Sequence, residues 1–162
     1  MSRTQATLDP ESLEARVPEQ TRRVPSRLHS SVVNVAMVLG AVLVAASAEV
    51  HLHLWMFGYR AFHIIGPLFL AQAISGFALA LVIATTRRVL PAIVGALFLA
   101  STIGGLLISD WFGLFGFHDT FAAPYAGMSL FLEGAGIVVL LGAAAYRFGL
   151  HNSGLRRRRL RA

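Results

Sequence analysis

The sequence predicts an all-α integral membrane protein, a four-helix transmembrane bundle with both termini in the cytoplasm. Four long apolar stretches make up most of the 162 residues, and 56% of all residues are hydrophobic. All but one of the 14 basic residues, every one an arginine, fall on the same side of these stretches. The stretches predict the helices, and the arginines predict their orientation.

The four candidate spans each approach the roughly 20 apolar residues that cross about 30 Å of hydrocarbon. They are residues 31–50, 65–86, 89–109 and 125–148, inside a bundle that occupies 29–150. In lipid every backbone amide needs an internal partner, and continuous apolar stretches of this length find one as helices rather than barrel strands.

Two polar tails flank the bundle. Residues 1–28 carry acidic and arginine side chains without an apolar face, so they are predicted to be a disordered cytoplasmic tail. Residues 151–162 form a basic tail. No room remains beside four spans for a separate soluble domain.

Span 1 has a competing interpretation. Ala46, Ser47 and Ala48 follow an apolar run in the small-residue pattern of a signal-peptidase site. Cleavage there would leave three spans that begin at Glu49. The leader would be far longer than the usual 15 to 30 residues and would contain acidic residues, so retention of span 1 is the expectation.

The connections on the two sides differ. Arg87 and Arg88 form a very short turn, which requires spans 2 and 3 to be an antiparallel hairpin, and Pro91 falls in the first turn of span 3, where its missing N–H costs nothing. Only Arg60 lies on the other side, among tryptophan, tyrosine and phenylalanine residues that predict an aromatic belt. The positive-inside rule then gives a multi-pass plasma-membrane protein.

The basic residues indicate lipid rather than nucleic acid as the partner. The net charge is +6, but the arginines border the spans instead of forming a patch interleaved with aromatic residues. Anionic headgroups suit such juxtamembrane clusters. The predicted lipid and topology anchors are Arg87, Arg88, Arg156, Arg157, Arg158 and Arg159.

Histidines and carboxylates gather in the two outer connections. They are His51, His53, His63 and His118 with Glu49, Asp110 and Asp119. Imidazole and carboxylate groups suit zinc or copper(II), and the chain has no cysteine for a thiolate site. On a helix His51 and His53 point about 200° apart, so both can bind one metal only if the chain is extended there. A haem held by His53 and His118 is a further alternative, and interfacial histidines bonded to carboxylates and headgroups are the simplest one.

Glu133 is the most informative single residue for function, because it lies about 13 Å below the outer boundary, near the bilayer centre. An ionisable group at that depth is a functional-site hypothesis by default. The same arithmetic places Gln72 and Thr102 at similar depth, and Ser129 one turn before Glu133. One interpretation is a protonated Glu133 that donates to the Gln72 carbonyl and fastens the helices; the other is a proton or cation relay.

The middle of the chain resembles small uncharacterised four-span membrane proteins of high-GC Gram-positive bacteria. The motifs that carry the resemblance are His51-Leu52-His53-Leu54-Trp55, Gly58-Tyr59-Arg60 and residues 65–72. The resemblance implies a bacterial plasma membrane and carries no activity, cofactor or catalytic residue.

Three hypotheses for function follow from these patterns. The first is a non-enzymatic accessory or assembly partner of a larger membrane complex, or a homo-oligomer, since the sequence contains no nucleotide-binding loop or catalytic serine motif. The second is an outward-facing metal or haem site. The third is a proton-coupled carrier that uses Glu133.

Overall fold

The computed structural model describes residues 24–113 and 125–159, and the side chains of residues 30–113 and 125–149. Within this part the helices are α1 (Val24–Phe57), α2 (Ile65–Thr86), α3 (Val89–Phe112) and α4 (Ala126–Arg159), with a 3-10 helix at Tyr59–Ala61. The chain divides into two compact units, Met1–Val32 and Val33–Ala162. The described part of the first unit is the helical segment 24–32, and the second unit contains the remainder of α1 and the other helices.

Four of the described helices are long and apolar enough to cross a membrane. The qualifying portions are Ser30–Phe57, Ile65–Thr86, Val89–Phe112 and Ala126–Gly149, each of 22 to 28 residues. The all-α class and the four long apolar helices predicted from the sequence are therefore confirmed. The chain has the features of a small polytopic membrane protein.

The helix ends differ from the predicted spans at both ends of α1 and at the C-terminal end of α4, which continues from residue 148 to Arg159. Span 2 was predicted over the same residues that α2 occupies, and α3 extends only three residues beyond residue 109. In contrast, α1 continues past residue 50 to Phe57. The polar side chains there do not end the helix, because no glycine or proline occurs between residue 50 and Gly58, whose backbone is extended (φ −177°). Most of the predicted tail 1–28 lies outside the described residues, and 24–28 are helical.

The turn between α2 and α3 consists of two arginines. Arg87 adopts the left-handed conformation (φ 51°, ψ 36°), and its N–H donates to the Ile83 carbonyl at 2.9 Å. That conformation costs a non-glycine residue on the order of 1 kcal/mol. Arg88 is extended and immediately precedes α3, which has Pro91 in its first turn. The tight reversal makes α2 and α3 the antiparallel hairpin that the short connection predicted.

Glycines allow the helices to approach closely. A Cβ added at Gly76 of α2 would lie 2.8 Å from the Ala48 Cβ of α1, and one at Gly136 of α4 would lie 2.4 Å from Leu99 Cδ1 of α3. Similar close approaches occur at Gly40 and Gly95. Lipid provides no hydrophobic force that draws helices together, so membrane helices associate through close packing at small residues. These contacts therefore explain how the four helices pack. A Cβ at Gly105 would meet nothing within 4 Å, whereas one at Gly95 would lie 2.7 Å from Ile83 Cδ1. The close packing of α3 is therefore at Gly95 and not at Gly105.

The buried apolar side chains cluster toward one end of the helices. This is the end with the Arg87–Arg88 turn and Arg147, called here the arginine end; the end with Phe57, Ile65 and Phe112 is the aromatic end. The core cluster consists of Val33, Met37, Ala41, Val44, Ala80, Ile83, Ala92, Ala96, Leu99, Leu140, Ala143 and Ala144. Each helix contributes the part of its length nearer the arginine end, which leaves the other half for polar side chains.

Candidate functional site

Glu133 is buried in the half of the helices toward the aromatic end. Its side chain is 1% exposed, seven residues into α4. The Ser129 hydroxyl, one turn earlier on the same helix, donates to Glu133 Oε1 at 2.7 Å, and the Ser47 hydroxyl of α1 donates to the same oxygen at 3.0 Å. The carboxyl group therefore links α4 to α1 through one bifurcated acceptor oxygen.

Ser47 is the partner that the sequence interpretation missed. With span 1 predicted to end at residue 50, Ser47 would lie only about 5 Å below the boundary. Because α1 continues to Phe57, Ser47 lies about 15 Å from the helix end, at a depth similar to that of Glu133. A prediction that ended α1 at Phe57 would have placed Ser47 at the depth of Glu133. Ser47 and Ala48 are both fully buried within the continuous helix α1, and the retention of span 1 stays a prediction.

Gln72 and Glu133 each have other partners in place of the hydrogen bond expected between them. Gln72 Nε2 of α2 donates to Thr102 Oγ1 of α3 at 2.7 Å, and that hydroxyl donates to the Phe98 carbonyl at 3.0 Å. Glu133 needs no partner from α2, since α1 supplies Ser47. The predicted layer of Glu133, Gln72, Thr102 and Ser129 is thus brought together as one pair within the hairpin and one cluster between α1 and α4.

His51 extends the polar half by one turn toward the aromatic end. It is 8% exposed, and its Nδ1 lies 2.8 Å from the Ser47 carbonyl oxygen. A carbonyl only accepts, so Nδ1 carries the proton and donates, which leaves the Nε2 lone pair as the acceptor or ligand position. The ring centroid lies 5.2 Å from that of Phe69 on α2.

His53 faces a different environment from His51. Its ring centroid lies 4.6 Å from Phe57 and 5.1 Å from Tyr125, the latter edge-on. The helix continues through both histidines, so the extended backbone required for a shared metal is not present. The two imidazoles contact separate aromatic neighbours.

The predicted metal ligands do not form a group in the described part of the chain. Among residues 24–113 and 125–159, no three histidine, aspartate or glutamate side chains come together as a metal-binding group. Glu49 and His63 are exposed, and Asp110 is half-buried near the end of α3. His118 and Asp119 lie outside the described residues, so the zinc, copper(II) or haem site stays an expectation.

Every buried polar atom in the described part of the chain has a partner. No fully buried side-chain nitrogen or oxygen there lacks a hydrogen bond. The buried polar residues are Ser47, His51, Ser109 and Glu133. All of them belong to the half toward the aromatic end, so the apolar core separates them from the arginine end.

The two ends of the helices expose different side chains. At the aromatic end Phe57, Trp111 and Phe112 are 75%, 68% and 78% exposed, and Tyr59 stacks on Phe69 with centroids 4.4 Å apart. At the other end the exposed Arg87 donates through Nε to the Ala84 carbonyl at 3.2 Å. Arg156, Arg157, Arg158 and Arg159 lie in the last turns of the α4 backbone, beyond the described side chains.

Comparison with known proteins adds no family. No protein-family model, no curated protein and no solved structure matches the chain. The resemblance to four-span proteins of Gram-positive bacteria is therefore supported only to the extent of four long apolar helices.

Proposed function

We propose that the protein is a non-enzymatic plasma-membrane subunit, with both termini cytoplasmic, that acts as an accessory or assembly partner of a larger membrane complex. The observation that carries this proposal is that the central polar side chains hydrogen-bond to one another between helices. Glu133 accepts from Ser47 and Ser129, and Gln72 donates to Thr102. Side chains used in this way act as fasteners between helices, which suits a scaffold.

The exposed aromatic side chains supply the binding surface in this proposal. Phe57 is exposed at the aromatic end of α1, and Trp111 and Phe112 are exposed at the aromatic end of α3. Aromatic residues are enriched both at membrane interfaces and at protein interfaces, because they bury a large apolar area and lose little side-chain entropy. A partner that covers these rings would use surface that otherwise meets headgroups.

Site-specific photocrosslinking in intact membranes tests the proposal. A benzophenone amino acid at Phe112 is expected to give one discrete adduct that contains a subunit of a multiprotein complex, and the unmodified chain should co-migrate with that complex. The same probe at Leu90, equally exposed at the arginine end, is the matched control and should give lipid adducts. Lipid adducts alone at both positions, or adducts only at multiples of the 17.5 kDa chain, would refute the proposal.

A proton-coupled carrier is the second candidate, favoured by the continuous polar contacts from Glu133 through Ser47 to His51. The last contact uses the Ser47 carbonyl, which has no proton to pass on, so this line is less suited to proton transfer than a chain of hydroxyls. Two substitutions in a deletion strain separate the candidates. If Glu133 is a fastener, Glu133→Gln should restore the phenotype and Glu133→Leu should not; if it must titrate, both should fail.

A further inference from the structure

The arginine end brings Arg147 of α4 to the two-arginine turn between α2 and α3. Arg87 and Arg88 form the turn between α2 and α3, and the Nη1 group of Arg147 on α4 donates to the Arg87 carbonyl. That carbonyl belongs to the peptide bond between Arg87 and Arg88, so the α4 guanidinium reaches the turn itself. Residues 60 positions apart thus meet at one small surface.

Within residues 24–113 and 125–159, no carboxylate lies at the arginine end. The carboxylates of the described residues are Glu49, Asp110 and Glu133, which lie at the aromatic end or in the bundle centre. The C-terminus of α2 supplies the equivalent of only about half a negative charge. An anion at this surface would therefore be attracted by the positive charge of the three arginines.

The geometry also provides hydrogen-bond donors for an anion. Each guanidinium has five N–H groups in a planar fork that matches the oxygens of a phosphate. The described hydrogen bonds use Nε of Arg87 and Nη1 of Arg147 to hold the side chains against the C-terminal carbonyls of α2. Two of the three side chains are thereby positioned, and further donors face outward from the turn.

The position of the turn relative to the bilayer indicates that the phosphate group belongs to a lipid. The 22 residues of α2 extend about 33 Å, close to the thickness of the hydrocarbon core, so Arg87 lies where the lipid phosphates begin. The exposed apolar side chains of Leu90 and Phe148 follow the arginines on α3 and α4 and offer a surface for acyl chains.

We propose that Arg87, Arg88 and Arg147 form a discrete binding site for the phosphate group of one anionic phospholipid. This site is more specific than a general attraction of basic residues to a charged surface, because it requires α4 to reach the α2–α3 turn. It does not depend on the accessory-subunit proposal.

Native mass spectrometry of the full chain in mild detergent tests the site. Phosphatidylglycerol is titrated into delipidated protein, with zwitterionic phosphatidylcholine as the reference. Wild type should bind one phosphatidylglycerol saturably. Arg147→Gln and Arg88→Gln should each weaken that binding about fivefold, the factor that corresponds to roughly 1 kcal/mol per arginine near a lipid surface.

Arg60→Gln is the matched control, since it removes an arginine from the opposite end and should leave the affinity unchanged. If Arg147→Gln fails to fold, as judged by its circular dichroism, Arg88→Gln carries the test, because the exposed Arg88 side chain is not needed to cap α2. The site would be overturned if Arg60→Gln weakened phosphatidylglycerol binding as much, or if neither Arg147→Gln nor Arg88→Gln weakened it. Displacement of the lipid by equimolar inorganic phosphate would identify a soluble anion as the ligand and overturn its assignment to lipid.

Discussion

Replacement of Gly76 by alanine tests whether α1 and α2 are held at a distance that only glycine permits. The added Cβ would lie 2.8 Å from Ala48 Cβ and 3.3 Å from two ring atoms of Phe98. Carbon atoms in contact normally lie about 3.5–4.0 Å apart. The Ala48 methyl has no rotamer to adopt, so the two helix backbones must separate by roughly 1 Å to restore a normal contact.

The expected cost follows from that displacement. Forcing an extra methyl group into a well-packed core costs typically about 1–3 kcal/mol. Alanine is intrinsically better than glycine in a helix by about 1 kcal/mol, which offsets part of the loss. We therefore expect Gly76→Ala to lower the free energy of unfolding by about 1 kcal/mol, and Ser47, next to Ala48 in the chain, to lose alignment with Glu133.

Unfolding in mixed micelles with increasing fractions of denaturing detergent, followed by circular dichroism, measures this change. Gly142→Ala is the matched control, since a Cβ there meets nothing within 4 Å. Adding Ala48→Gly to the Gly76→Ala variant removes the opposing methyl group and should restore most of the lost stability. The reasoning is refuted if the Gly76 and Gly142 variants are equally stable, or if Ala48→Gly gives no rescue.

Three further substitutions follow from the contacts. Ser47→Ala removes one interhelical donor to Glu133 and should lower the free energy of unfolding by about 0.6 kcal/mol, and by no more than about 1.7 kcal/mol. Thr102→Val removes the acceptor of Gln72 and should have a similar cost in the same assay. Gly136→Ala should cost less than Gly76→Ala despite its shorter 2.4 Å contact, because the opposing atom is the end of the flexible Leu99 side chain.

Matched controls exist for the two polar substitutions. Ser101→Ala and Ser75→Ala each remove an exposed hydroxyl that bonds only to carbonyls of its own helix, so each should change stability by less than Ser47→Ala or Thr102→Val. Equal effects at the exposed and interhelical positions would contradict the assignment of fasteners. For the glycines, a larger loss at Gly136 than at Gly76 would show that Leu99 cannot move aside.

The hydrogen-bond partner expected for Glu133 differs from the one in the structure, for an identifiable reason. Depth arithmetic placed Glu133, Gln72 and Thr102 in one layer because a helix has a constant rise per residue. The arithmetic gives depth and not azimuth, so it could not choose between Gln72 and Ser47 as the partner of Glu133. The error in the end of α1 also made Ser47 appear too shallow to be considered.

The sequence by itself determined the four spans and the hairpin between α2 and α3. Long apolar stretches in lipid have one way to satisfy their backbone, and two residues between helices allow one direction of return. These are local constraints, and α2 occupies the same residues that were predicted for span 2.

Only the tertiary structure decided which polar groups meet. The contact of Ala48 with Gly76 and the reach of Arg147 to the Arg87 carbonyl depend on how each helix is rotated about its axis. That rotation is set by close packing of several helices at once, at glycines that differ little in the sequence from Gly105 or Gly142. The physical reason is that a helix has many apolar faces in lipid, and the shape of its neighbours selects the one that is buried.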